Sequence, residues 1–87
     1  MPAVVEIQAT PNPNAAKFTL NRVIAAQGTT YRPPAAGQPD WAARLLGIAG
    51  VTQVFALNTF ITVTKAADGD WNTIAPQVER TLNEALA

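Results

Sequence analysis

Strand, strand, helix, strand, strand, helix is the order the sequence predicts: an α+β two-layer sandwich with an antiparallel four-stranded sheet and both helices on one of its faces. Three observations predict it. Short alternating segments rich in β-branched residues stand near the N-terminus and again at residues 51–65, an apolar stripe at helical spacing follows each pair, and turn-forming residues separate the segments. The best-patterned stretch is Gly50 to Trp71, GVTQVFALNTFITVTKAADGDW, which reads as two strands about a tight turn, entered through a glycine and left through an aspartate that starts a helix.

Val4, Val5 and Ile7, interrupted by Glu6 and Gln8, fit a first strand with one wetter face. Thr10, Pro11, Asn12, Pro13 and Asn14 then crowd together, so the chain must bend sharply: proline fixes φ and asparagine side chains bond their own backbone. Phe18 and Leu20 alternate with Lys17, Thr19 and Asn21, which makes an antiparallel hairpin with the first strand the economical reading. From Ile24 to Pro39 the periodicity is lost and Gln27, Gly28, Thr29, Pro33, Pro34, Gly37 and Pro39 collect, as in a long surface connection with room for a brief extra edge strand at Thr29–Arg32. A loop of this length either carries function or is a tolerated connector, and the connector is the expectation.

Pro39 or Asp40 opens the first helix, where the aspartate can cap free amides and favour the positive end of the dipole. Trp41, Leu45 and Ile48 recur at i, i+4 and i+7 with Ala42 and Ala49 beside them; Gly47 weakens the last turn, and Gly50 suits the left-handed conformation that ends helices. The second helix follows Asp70 as its N-cap, with Trp71, Ile74, Val78, Leu82 and Leu86 forming its apolar stripe. Pro76 deletes a backbone hydrogen bond, which predicts a kink there or a start nearer Thr73. No internal repeat is convincing.

Eighty-seven residues make one domain, 1–87, since a chain this short buries about 60–65% of its unfolded surface. The 48% hydrophobic content includes 17 alanines, which leaves an adequate but thin set of large side chains. Six basic and six acidic residues cancel, and no lysine or arginine run offers a phosphate-tracking stripe, so a nucleic-acid partner is disfavoured. The chain has no cysteine and no histidine, which removes disulfides, thiolate nucleophiles, histidine bases and the usual zinc or iron–sulfur ligands. No leader-like or membrane-spanning segment is visible, so a cytoplasmic protein without a membrane partner is expected.

Two partner-binding candidates stand out. Asn12 and Asn14 present donors and acceptors beside a rigid turn and Lys17 adds a charge; turn chemistry alone also accounts for the asparagines, and that is the blander expectation. Phe55, Leu57 and Phe60 form the second. A two-residue turn at Asn58 and Thr59 puts Val54, Ala56, Ile61 and Val63 on the core face and those three on the opposite one, as an apolar patch; a three-residue loop brings Phe55 towards the side of Ile61, and burial of Phe55 in the core is the expectation of the two. Asp68 and Asp70, with no histidine or third acid close by, make a poor iron site and are read as capping and solvation. Arg44, Glu79 and Arg80 read as solvated helix faces, and Trp41 and Trp71 as core. No nucleophile–base pair or glycine-rich phosphate loop can be assembled, so no catalytic residue is assigned; a hydrolase-like enzyme would need a pocket with a perturbed carboxylate.

TPNPNAAKF from Thr10 to Phe18, GIAGVTQVF from Gly47 to Phe55, FITVTK from Phe60 to Lys65, and Asp70–Trp71 before a helix with an internal proline together resemble the N-terminal domain of the Nfu/NifU-type iron–sulfur scaffold proteins, over nearly the whole chain. The resemblance implies a compact α/β domain that in longer members precedes a second domain whose Cys-x-x-Cys motif holds the cluster. This chain is expected to be a free-standing version without that domain, so no cluster ligand is carried over to any residue here and no metal ligand is assigned. It implies an iron-linked, non-enzymatic accessory role in cluster assembly by protein–protein contact, with cluster-assembly proteins or a cysteine-bearing scaffold as partners and iron associated only through that pathway. A small-ligand or metal-ion domain with oxygen ligands alone is the alternative.

Overall fold

A computed structural model describes residues 3–33 and 39–86. Its strands are β1 (Val4–Ala9), β2 (Ala15–Leu20), β3 (Ala25–Tyr31), β4 (Val51–Asn58) and β5 (Phe60–Lys65), and its helices α1 (Asp40–Leu46) and α2 (Trp71–Ala85). The strands form one antiparallel sheet in the order β1-β2-β5-β4-β3. Both hairpins read from the alternation are present: β1 pairs with β2, and β4 with β5.

Strand register decides which face each residue takes, because side chains alternate with period two and paired residues share a side. Phe18 lies opposite Ile61 and Ala16 opposite Val63, while Val54 pairs with Val63 and Ala56 with Ile61. All six are buried, and α1 and α2 cover them with Trp41, Ala42 and Leu45 and with Ile74, Val78 and Leu82. The two helices therefore share one face, as the apolar stripes require.

The sheet has five strands among the described residues, where four are predicted. Part of the connection from Ile24 to Pro39 is the edge strand β3, of which only the Thr29–Tyr31 portion is anticipated, and Arg32 falls just outside it. Tyr31, Thr30 and Thr29 pair with Val54, Phe55 and Ala56, but the register shifts between Ala25 and Thr29. That irregularity, with Gly28 inside it, breaks the alternation by which a strand is read from sequence. Tyr31 then packs edge-on against Trp41, with ring centroids 5.5 Å apart. Pro34 and Gly37 of the predicted connection lie outside the described residues. On the other edge, a shift between Val4 and Glu6 makes Val5 an extra residue, 61% exposed.

The helices correct three expectations. α1 ends at Leu46 with Gly47 as a right-handed C-cap, so Ala49 is exposed and Ile48 only half-buried. Gly50 is left-handed, φ 96°, but it turns the chain into β4, where Val51 N–H bonds the Ile48 carbonyl at 3.1 Å. Asp40 forms no side-chain cap; Pro39 is the N-cap residue, and the Asp40 carboxylate pairs instead with Arg44 one turn on, at 2.9 Å. α2 starts at Trp71, not at Thr73, and continues through Pro76. The buried Ile74, Val78 and Leu82 outweigh the one hydrogen bond that proline removes. Asp70 caps α2 as expected, its carboxylate accepting from Asn72 N–H at 2.9 Å.

Candidate functional site

The turn between β1 and β2 closes largely on itself. Asn12 Oδ1 accepts from Asn14 N–H at 2.9 Å and the Asn12 carbonyl accepts from Ala15 N–H at 3.0 Å. Thr10 Oγ1 lies 2.9 Å from both the Asn12 and the Ala15 carbonyls, able to donate to one at a time, and accepts from Asn12 N–H at 3.2 Å. Side-chain oxygens bonding backbone two residues on is the chemistry that asparagine and threonine bring to turns.

Two contacts from distant sequence seat this turn against the start of α2. Trp71 Nε1–H donates to the Pro13 carbonyl at 3.0 Å, and Lys65 reaches Asn14 twice, through its backbone N–H to the carbonyl at 2.7 Å and through Nζ to Oδ1 at 2.9 Å. Between the turn, β1 and α2 lies a groove of about 260 Å³. Ile7, Ala9, Trp71 and Ala75 make its apolar walls, with Thr10 and Asn12 at the rim, and no charged side chain lines it. Ile7 pairs with Phe18 and so lies on the helix side, yet it is 43% exposed because β1 is an edge strand beside this groove. Trp71, predicted as core, is a half-buried wall of the groove.

Lys17 is not part of this site. It pairs with Thr62 on the face away from the helices, and its Nζ sits 4.6 Å from the Phe60 ring centroid. Leu57 pairs directly with Phe60, which leaves Asn58 and Thr59 as a two-residue turn with Asn58 left-handed at φ 52°. Phe55, Leu57 and Phe60 therefore share that open face, and the expected burial of Phe55 in the core is corrected. All three are half-buried rather than bare: the Phe55 ring leans on Phe60 at 6.3 Å and lies against β3, where a Cβ on Gly28 would come within 3.0 Å of Phe55 Cζ. The six residues singled out in the sequence thus divide between two surfaces, Asn12 and Asn14 at the turn, and Lys17, Phe55, Leu57 and Phe60 across the open sheet.

Lys65 is the residue the sequence reading missed. Its signal is its place in the strand: Ile61, Val63 and Lys65 stand at alternate positions facing the core, and the third is a lysine where an apolar residue is the norm. Asp68 is exposed and Asp70 is spent on its cap, and no group of three His, Cys, Asp or Glu side chains that could hold a metal ion occurs among the described residues.

A family model described as the N-terminal part of scaffold protein Nfu/NifU matches residues 5–87. The chain belongs to this family. The family is linked to iron–sulfur cluster assembly. Among curated relatives, conserved virulence factor C of Staphylococcus aureus strain USA300 is 31% identical over 83 residues, covering 94% of this chain and 22% of that protein. The mitochondrial NFU1 iron-sulfur cluster scaffold homolog of Drosophila grimshawi is 36% identical over 77 residues, 85% of this chain and 26% of that protein. The chain thus spans about a quarter of the length of these relatives. The crystal structure of Staphylococcus aureus protein SAV1430 superposes with a TM-score of 0.84 at 33% identity, covering 90% of this chain and 95% of that one. The solution structure of a NifU-like protein from Saccharomyces cerevisiae shares the fold, with a TM-score of 0.78 at 22% identity over 97% of this chain and 80% of that one. No described helix is long and apolar enough to cross a membrane.

Proposed function

We propose that this chain is a non-enzymatic accessory module of iron–sulfur cluster assembly that acts by protein–protein contact, docking a cluster-assembly protein or a cysteine-bearing scaffold at the β1–β2 turn and the groove beside it. Family membership supplies the pathway. The observation that supports the surface is the turn itself: Asn12, Pro13 and Asn14 are held against Trp71 and Lys65, so the apolar groove and its polar rim exist before any partner arrives. Preformed apolar walls with a few fixed polar groups suit recognition of a partner side chain. Lys17, Phe55, Leu57 and Phe60 on the far side of the sheet offer a second, separate contact area.

The test is calorimetric titration of the purified chain with the cluster-assembly proteins and the cysteine-bearing scaffold of its own organism. Saturable association with at least one is expected, weakened by about tenfold or more in Ala75→Glu, which places a charge in the groove, and unchanged in Arg44→Ala on α1, which belongs to neither surface. No association with any of them refutes the proposal. The oxygen-ligand alternative predicts saturable heat and localised NMR shifts on anaerobic titration with ferrous iron; their absence rejects it.

A further inference from the structure

Lys65 is only 8% exposed, and among the described residues no carboxylate lies within ion-pair distance of its ammonium. What the ammonium does have is specific. Nζ donates to Asn14 Oδ1 at 2.9 Å and to the Ala66 carbonyl at 3.3 Å, and stands 5.9 Å from the centroid of the Trp71 ring. A route is left for its stem: a Cβ on Gly69 would come within 3.3 Å of Lys65 Cδ. Its strand partner Val51 is buried on the same face, so an apolar side chain at position 65 would satisfy the core at lower desolvation cost. Of the two acceptors, the Ala66 carbonyl is next to Lys65 in the chain, whereas the Asn14 bond is made only when the turn lies in one place, so that bond ties the turn's position to the ammonium.

We infer that Lys65 is a positioning residue for the β1–β2 turn: its ammonium, bridging Asn14 and Ala66, latches the turn to the junction of β5 and α2, and with the Trp71–Pro13 bond makes turn and helix start one wall of the groove. The turn's internal hydrogen bonds set its shape. Lys65 sets where that shape sits, 51 residues away along the chain. The inference rests on the docking proposal only for its consequence, a groove rim already in place when a partner arrives; the latch is a property of the free protein and is tested without a partner.

The experiment is amide and indole hydrogen exchange by NMR on Lys65→Met, which keeps the stem and deletes the donors, on Asn14→Ala, which deletes the acceptor, and on the double variant. The reporters are the Ala15 amide, the backbone amide at position 65 and the Trp71 indole N–H, each bonded within or across the turn; Ile61 and Val63 amides report the sheet centre. Each single variant is expected to speed exchange of the turn reporters by about tenfold or more relative to the sheet centre, and the double variant to add little, since both remove the same bond. Uniform acceleration across turn and sheet, or turn reporters unchanged relative to the sheet, overturns the latch. Should Lys65→Met fail to fold, Asn14→Ala decides by the same comparison, because it alters a turn residue and leaves the core intact.

Discussion

Replacing Ile61 by alanine probes the feature on which the whole sheet register depends. Ile61 is fully buried in a central strand, opposite Phe18 on one side and Ala56 on the other. Truncation removes three carbons, about 2.4 kcal/mol at roughly 0.8 kcal/mol each. The small Ala56 cannot fill the space, so a cavity term adds to this and the total should be about 3–4 kcal/mol. A chain of this size has a stability of roughly 4–13 kcal/mol, so the loss is large yet leaves a folded baseline to measure in most of that range. Thr62→Ala, one residue on and facing the uncovered side, should cost below about 1 kcal/mol. Urea unfolding followed by tryptophan fluorescence and far-ultraviolet circular dichroism measures both, provided the slopes agree so that midpoints can be compared. An Ile61→Ala cost under about 1 kcal/mol, or a Thr62→Ala cost as large as that of Ile61→Ala, would refute the division of the sheet into a covered and an open face.

Two further changes test the helices. Gly50→Ala should destabilise by about 2 kcal/mol, since a φ of 96° strains any residue with a Cβ and that atom would stand 2.9 Å from Ile74 Cδ1; an unchanged thermal midpoint would mean that the backbone there relaxes freely. Pro76→Ala should stabilise by about 1 kcal/mol or more, because it restores an N–H to the sixth residue of α2 and relieves crowding one turn back, partly offset by a looser unfolded chain; a lower urea midpoint would show that proline fits this helix without cost.

How much of this was legible in the sequence depends on how local the deciding forces are. The stripe of Ile74, Val78 and Leu82, the Asp70 cap and both hairpins follow from spacing and from side chains bonding their near neighbours, and each is present. The motif order from Thr10 to Trp71 also placed the chain in its family. The end of α1 is less legible, because Gly47 and Gly50 both suit a terminus: Gly47 is the right-handed C-cap and Gly50 the left-handed residue that turns the chain into β4.

Tertiary structure alone decided the rest. β3 exists because β4 offers it an edge, although its own residues carry no clean alternation across Gly28. The turn at Asn58 and Thr59 is settled by the pairing of Leu57 with Phe60, and Ile24 N–H bonds the Asn58 carbonyl at 2.7 Å from another strand's approach. Asn14 and Lys17 are neighbours in sequence, but the pleat sends Lys17 to Phe60 on the open face while Asn14 stays at the helix side with Lys65. Sequence by itself determined which segments could be strands and helices, because backbone and near-neighbour energies act within a few residues. Which faces they present, and that a buried lysine should hold the turn, depended on partners tens of residues away whose meeting only the folded chain brings about.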